Sequence, residues 1–537
     1  MVRKQWSAGV VDIKTAFLNA ELEGQDLGAK RVMVRTPGLW RRIGVCTEMF
    51  WDVHRALYGL QISPAAWSRC RDRTLPSLKL HTCSGVVRLH QFRSDGDIWA
   101  IVPVDAEDPD DASLRLGLLL VYVDDMMILS TPQIIADVIA ELGKTWELSQ
   151  PELLDDGNVH YRGVEICRGK GGVLVHQGSY TQELLARYPD GGGAEVPALK
   201  LPDIAPADRQ DPSTVRKAQQ VAGELLWLSG ITRPELQFAV GMISRTISVN
   251  AAEACAMGEQ VVKYLRRFPA RGIWYGSANM SWGEEGDLSQ PMGPNSLVGF
   301  CDASFAPSSG RSFQSTLAYY SGGLIAWSAT RQGMTRMTTL STAESELVGI
   351  TSLFADLRAL EPLAREIHGA PVTMQMHSGS QAAIAICSTQ ANNWRARHLR
   401  IRASYVREAL ESGSYTLHHV NGASMKADIG TKPLPGPRFH QLVTALGMAE
   451  QPVTRAKRLA VGDGSVEEKI KILLTCLVVA SLLEPVEAQT GSSQGLGDRD
   501  WQFLFGYVDD VAIVAHETVY SVMLNRLNAK LKDTWKG

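Results

Sequence analysis

The chain has 537 residues, 45% hydrophobic and 21% charged, with a formal net charge of -3. That length holds roughly two to four domains, each able to bury its own core, and the composition excludes a disordered or collagen-like chain. Near-neutral charge excludes a globally basic nucleic-acid binder, so any phosphate-binding surface has to be a local stripe.

The eight cysteines form no CxxC pair, which predicts reduced thiols in a cytoplasmic or nuclear protein and no zinc site. The opening MVRKQW lacks an apolar segment after its basic residues, so no secretory signal is indicated. The late apolar run from Ile472 to Leu483 is shorter than the ~20 residues of a spanning helix, and no membrane partner is expected.

Residues 1 to 165 alternate short β-branched runs (VVDIKTAFL, LLLVYVDDMMIL, YRGVEI) with the helical pattern PQIIADVIAELGKTW, an α+β arrangement. Within it, Tyr122-Val123-Asp124-Asp125 lies between apolar runs, which places adjacent carboxylates at a tight hairpin turn. A lone Asp-Asp pair is usually an ordinary solvated turn. Phosphoryl transfer gives it another use, because hard cations take oxygen ligands and two metals about 3.5 to 4 Å apart can activate a hydroxyl and stabilise a leaving pyrophosphate. A third carboxylate is needed from another strand, and Asp12, ending an apolar run, suits that position.

From about 166 to 290 the periodicity is helical (ELLWLSG, AVGMISRTI, QVVKYLRR) and carries no carboxylate cluster, a connector or thumb. Strands return after a Gly-, Ser- and Asn-rich stretch near 275 to 295: LVGFCDASF and STLAYYSGGLIAWSA, then a helix from about Thr342, a strand at VTMQMHS, helices, and a strand at YTLHHV. This second α/β unit runs from 296 to 435 and contains the one strongly basic run, Arg395, Arg397, His398, Arg400, Arg402 and Arg407. Such a run either tracks phosphates or is a solvated charged face. Residues 436 to 490 read as a helix-rich tail and linker. Residues 491 to 537 repeat part of the first region, with GYVDDVAIV (506 to 514) echoing VYVDDMMIL (121 to 129). A second hairpin without its partner strands cannot form a site, so Asp509 and Asp510 are expected to be inert.

The ordered motifs VDIKTAFLNAELEG, RALYGLQISPAAW and VYVDDMMIL resemble the reverse transcriptase palm of copia-type LTR retrotransposons. The resemblance implies an α+β polymerase palm, N-terminally truncated with its fingers missing, then a helical connector and an α/β RNase H-like domain. It makes Asp12, Asp124 and Asp125 the metal-holding catalytic acids. Phe17 resembles the gate against a ribose 2′-hydroxyl, and Tyr58, Gly59 and Tyr122 line the nucleotide, with Ser63 and Pro64 beginning the helix that follows. YRGVEI (161 to 166) resembles a primer-contacting hairpin, with Arg162 where an apolar residue is usual.

SLVGFCDASFA, LSTAESELVGI, WRARHLRIRASYVREAL and KADIGTKPL resemble the RNase H of the same family. By that resemblance Asp302, Glu346 and Asp428 hold metal, with Glu344 a rival to Glu346, and Arg395, Arg397, Arg400 and Arg402 meet the hybrid. The fourth acid of the pattern falls on Gly379, so cleavage should be severely impaired. The implied cofactor is Mg2+, two ions per site, and the implied partners are an RNA template, a DNA primer, dNTPs and an RNA–DNA hybrid. An incomplete copy should extend a primer poorly or not at all. The alternative is a catalytically inactive relic that binds nucleic acid.

Overall fold

The structure is a computed structural model and describes residues 4–22, 32–35, 47–169, 171–189, 191–198, 206–207, 209–276, 295–305, 312–332, 341–388 and 397–450. Arg395, the run from Ile472 to Leu483, the remainder of the tail and the duplicate with Asp509 and Asp510 lie outside these residues. The contacts divide the chain into two units, residues 1–161 with 166–168, and residues 162–165 with those from 169 onward.

The first unit is built on a seven-stranded antiparallel sheet. Its spatial order is Leu80–Thr82, Gly85–Gln91, Ile98–Pro103, Gly117–Tyr122, Asp125–Ser130, Ser7–Asp12 and Glu152–Leu153. The central strands GLLLVY and DMMILS are apolar on both faces, as a strand covered on both sides must be. Helices Ser63–Thr74 and Pro132–Leu142 each carry a proline in the first turn, where the missing N–H costs nothing. They help to bury a core that includes Trp67, Trp99, Leu119, Met126, Ile135 and Val138. Gly9 lets Pro132–Leu142 lie close on the sheet, since a Cβ there would collide with Ile135.

In the second unit, helices Pro212–Ile231, Gln237–Ile247 and Ala251–Arg267 follow one another, the first and third capped by Asp211 and Asn250. Strand Arg271–Gly276 pairs antiparallel with Gly172–His176 and with Met448–Glu450. A five-stranded sheet then runs in the order Gly323–Arg331, Phe313–Tyr320, Ser296–Ser304, Thr373–Ser378 and Tyr415–His419. The first three strands are antiparallel and the last two join in parallel, which requires helical crossovers.

Strand Ser296–Ser304 is buried along nearly its whole length because both faces are covered. Leu297 and Cys301 face Leu347, Ile350 and Phe354 of helix Thr342–His368. Val298 and Phe300 join a core with Leu225, Leu228 and Ile243 of the preceding helices, so these helices and the five-stranded sheet share one core. Among the described residues no helix is long and apolar enough to cross a membrane.

Candidate active sites

Strands Ser7–Asp12 and Asp125–Ser130 are neighbours, and Asp12 lies directly opposite Asp125 in their register. Strand Gly117–Tyr122 pairs on the other side, with Tyr122 opposite Asp125, leaving Val123 and Asp124 as a two-residue turn. Val123 has φ 52, a conformation in which a β-branched residue is strained. Trp67 holds that turn by donating its indole N–H to the Val123 carbonyl at 2.6 Å.

Backbone bonds fix both ends of the site: the Ile13 N–H donates to the Asp124 carbonyl at 2.8 Å and the Ser149 N–H to the Asp12 carbonyl at 2.8 Å. Carboxylate oxygens of Asp12, Asp124 and Asp125 all lie within 4.8 Å of one another, with Asp124 buried. Like charges at that separation repel by roughly 3 kcal/mol per pair at an effective dielectric constant of ~20, a cost that a bound divalent ion would remove. Hard oxygen donors from two paired strands and the turn beside them fit a divalent cation.

Phe17 lies in the short 3-10 helix Ala16–Asn19, and its ring packs against Tyr58, centroids 4.7 Å apart and planes tilted by 52°, with Tyr58 itself half exposed. Gly59 has φ 91, so the turn after Tyr58 uses glycine's freedom. Ser63 donates its hydroxyl to the Leu57 carbonyl at 2.6 Å, tying this turn to helix Ser63–Thr74. Tyr122, the last residue of its strand, is buried. Arg162 and Gly163 form a turn with positive φ at both residues.

The second constellation gathers at the C-terminal part of strand Ser296–Ser304. Asp302, Glu346 and Asp428 are all buried, supplied by that strand, by the first turns of helix Thr342–His368 and by the short helix Lys426–Gly430. Burial, with Asp302 close by, pushes the Glu346 carboxyl up to about 8, and Asp428 adds to the effect. Burial also raises Asp428, against a hydrogen bond from Lys432. Glu346 is thus electrostatically tied to the other two acids. Glu344 is equally buried, and its backbone N–H takes the Ser341 cap.

Four residues here were not singled out by sequence reasoning. Lys432 Nζ is 2.6 Å from Asp428 Oδ1 and 3.8 Å from Asp302 Oδ2. Thr431 Oγ1 donates to the same Asp302 oxygen at 2.5 Å. Arg438 stands 3.7 Å from the other Asp428 oxygen. Ser149, in the first unit, accepts the Asp12 N–H at 2.9 Å. The signal was present in KADIGTKPL, where Thr431 and Lys432 follow Asp428 by three and four residues.

Gly379 follows strand Thr373–Ser378, in which Ser378 is level with Cys301, so Gly379 falls beside Asp302. A Cβ at Gly379 would meet nothing closer than Met425 Cε at 3.6 Å, so the backbone has room for the carboxylate that the sequence lacks. With that acid absent and the Asp302 and Asp428 oxygens engaged by Thr431 and Lys432, the residues present do not fit a pair of divalent ions. Glu346 Oε2 is the exception: it is buried and has no hydrogen-bond partner among the described residues.

The basic run is divided by the structure. Helix Arg397–Glu411 carries Arg397, Arg400 and Arg402, and Arg402 is exposed. Arg407 takes neither of the two roles open to that run. It donates to the carbonyls of Cys387 at 3.0 Å and Ile386 at 2.8 Å, closing the end of helix Gln381–Ser388.

Residues 1–190 match the family described as reverse transcriptase (RNA-dependent DNA polymerase). The chain is 24% identical over 455 residues to the retrovirus-related Pol polyprotein from transposon TNT 1-94 of Nicotiana tabacum, covering 82% of this chain and 30% of that protein. It is also 24% identical over 465 residues to the retrovirus-related Pol polyprotein from transposon RE1 of Arabidopsis thaliana, covering 84% and 28%. The chain therefore spans less than a third of the length of these relatives. Among solved structures, RNase H1 from the halophilic archaeon Halobacterium salinarum aligns at 14% identity and TM-score 0.19, over 25% of this chain and 93% of that one. The foamy viral protease-reverse transcriptase in complex with dsDNA aligns at 13% identity and TM-score 0.18, over 78% and 69%.

Proposed function

We infer that this chain is a copia-like region of a retrotransposon Pol polyprotein, and we propose that its first unit performs RNA-templated DNA synthesis. One observation carries the reading: carboxylates from two separated stretches of chain converge so that oxygens of Asp12, Asp124 and Asp125 lie within 4.8 Å. The substrates of this reading are dNTPs, a DNA primer and an RNA template.

Magnesium, when bound there, supplies Lewis-acid activation of the primer 3′-hydroxyl and neutralises charge on the leaving pyrophosphate. Asp12, Asp124 and Asp125 would hold it. The remaining work belongs to the chain. The cross-strand register sets Asp12 against Asp125, Trp67 fixes the turn that presents Asp124, and Phe17, backed by Tyr58, crowds the position of a ribose 2′-hydroxyl. Primer extension on an RNA template tests the reading. Incorporation should be slow, dependent on a divalent ion, and lost in Asp124→Asn; incorporation that survives Asp124→Asn at the parent rate would refute it.

For the second unit, Gly379 favours a different outcome, an RNase H-like domain that binds RNA–DNA hybrid through the helix bearing Arg402 and cleaves it poorly. Filter binding together with cleavage of a labelled hybrid tests this, with cleavage expected to rise in Gly379→Asp. A parent chain that already cuts at the rate of that variant would overturn it.

A further inference from the structure

We propose that Lys432 is a built-in cation of the RNase H-like centre, its ammonium bridging Asp302 and Asp428 in place of one divalent ion, so that this centre takes at most one. The inference rests on the reading of the second unit as an RNase H-like centre and adds to it a residue that sets how many metals the centre takes.

Two independent observations point to it. The first is the gap in the acid set: the register that places Cys301 beside Ser378 brings Gly379 level with Asp302, where no carboxylate can share an ion. The second is the occupancy of the remaining oxygens. Lys432 Nζ is 2.6 Å from Asp428 Oδ1 and 3.8 Å from Asp302 Oδ2, and Thr431 Oγ1 also donates to that Asp302 oxygen. Arg438 approaches the second Asp428 oxygen at 3.7 Å. Asp302 and Asp428, two like charges that would otherwise need a dication, are thus neutralised by the protein's own donors.

What remains is Glu346 Oε2, buried and without a hydrogen bond among the described residues, one oxygen ready for a single ion. The Lys432 side chain is itself 43% exposed, so its ammonium stays within reach of solvent-borne reagents while it holds its place. Loss of one carboxylate and provision of one ammonium change the local charge in the same direction. Both weaken divalent binding.

Manganese binding to the full chain, counted by electron paramagnetic resonance, tests the proposal. Asp124→Asn and Asp125→Asn silence the first centre and define the parent for this experiment. That parent should bind one manganese ion or none at the second centre. Adding Lys432→Met should tighten binding tenfold or more or admit a second ion, adding Lys432→Arg should leave it at the parent level, and Gly379→Asp should tighten it independently. Two ions bound by the parent, or no change in a folded Lys432→Met chain, would overturn the role of Lys432.

If Asp302→Asn and Gly379→Asp also change nothing, the metal-centre reading itself fails, which separates the two failures. A measurement on the unmodified chain guards against a misfolded variant. Acetic anhydride labelling of Lys432, read by mass spectrometry, should change less than twofold at saturating manganese, because the amine keeps its place beside the single ion. A larger rise, showing that the ion displaces the amine, would contradict the proposal.

Discussion

Asp12 and Asp125 lie directly opposite one another on adjacent antiparallel strands, a pairing in which like charges ordinarily destabilise a sheet. The arrangement persists because the turn between Tyr122 and Asp125 is over-determined. Val123 is held at positive φ and its carbonyl is gripped by the Trp67 indole. Placing charge against charge on rigid strands is a cost that makes sense where a cation is to be received.

The grip is testable. Trp67→Phe keeps an aromatic ring near Trp146, whose centroid is 5.7 Å away, but removes the N–H donated to Val123. Urea unfolding should show a loss of about 1–2 kcal/mol for the buried hydrogen bond. Manganese affinity at the first centre should fall severalfold as the turn loosens. Loss of stability with unchanged metal affinity would show that Trp67 supports the core alone.

Phe17→Ala should raise incorporation of ribonucleotides relative to deoxynucleotides by tenfold or more, as space opens beside Tyr58. The check is the ratio of kcat/KM for rNTP and dNTP. An unchanged ratio would place Phe17 outside the sugar pocket.

How much of this was legible in the sequence differs by residue. The adjacent acids Asp124 and Asp125 are legible only through the ordered motifs around them, since a lone Asp-Asp pair is usually a solvated turn, whereas the register that sets Asp12 opposite Asp125 depends on long-range pairing. Glu344 and Glu346 could not be separated by pattern, since both are buried in the first turns of one helix; the field of Asp302 and Asp428 at Glu346 separates them. Lys432 is not legible as a site residue because a lysine four residues after an acid is an ordinary solvated pair in most chains. The inward role of Arg407 is not legible because charge says nothing about which helix face turns inward. The connector and the RNase H-like region read as separate domains, yet Leu225 and Ile243 share a core with Phe300, a contact no local pattern announces.

A pH dependence follows from Asp356, where burial pushes the carboxyl up to about 6 against one hydrogen bond from Thr316. The folded state keeps this proton where the unfolded chain has lost it, so the group favours folding at low pH and that contribution is lost as pH rises through about 6. Above that pH its ionised form costs about 1–2 kcal/mol, less than the shift alone implies because the residue keeps some solvent contact. Asp356→Asn should therefore stabilise the chain more at pH 8 than at pH 4.5, measured by urea unfolding. A pH-independent difference would contradict this.

Arg402→Ala and Arg407→Ala should part company. Exposed Arg402 should contribute to hybrid binding, so its loss should lower affinity severalfold and flatten the salt slope by roughly 0.7–0.9. Arg407→Ala should instead lower stability by about 1–3 kcal/mol, because two helix-end carbonyls lose their donor. Salt-dependent binding and thermal melts on both variants decide the matter, and equal effects on both readouts would refute the division.

The most direct measurement is anomalous diffraction from crystals of the full chain soaked in manganese. We expect a peak bounded by the side chains of Asp12, Asp124 and Asp125. Its absence at saturating manganese, in crystals whose hairpin is ordered, would contradict the claim that these three carboxylates form a metal-dependent polymerase centre.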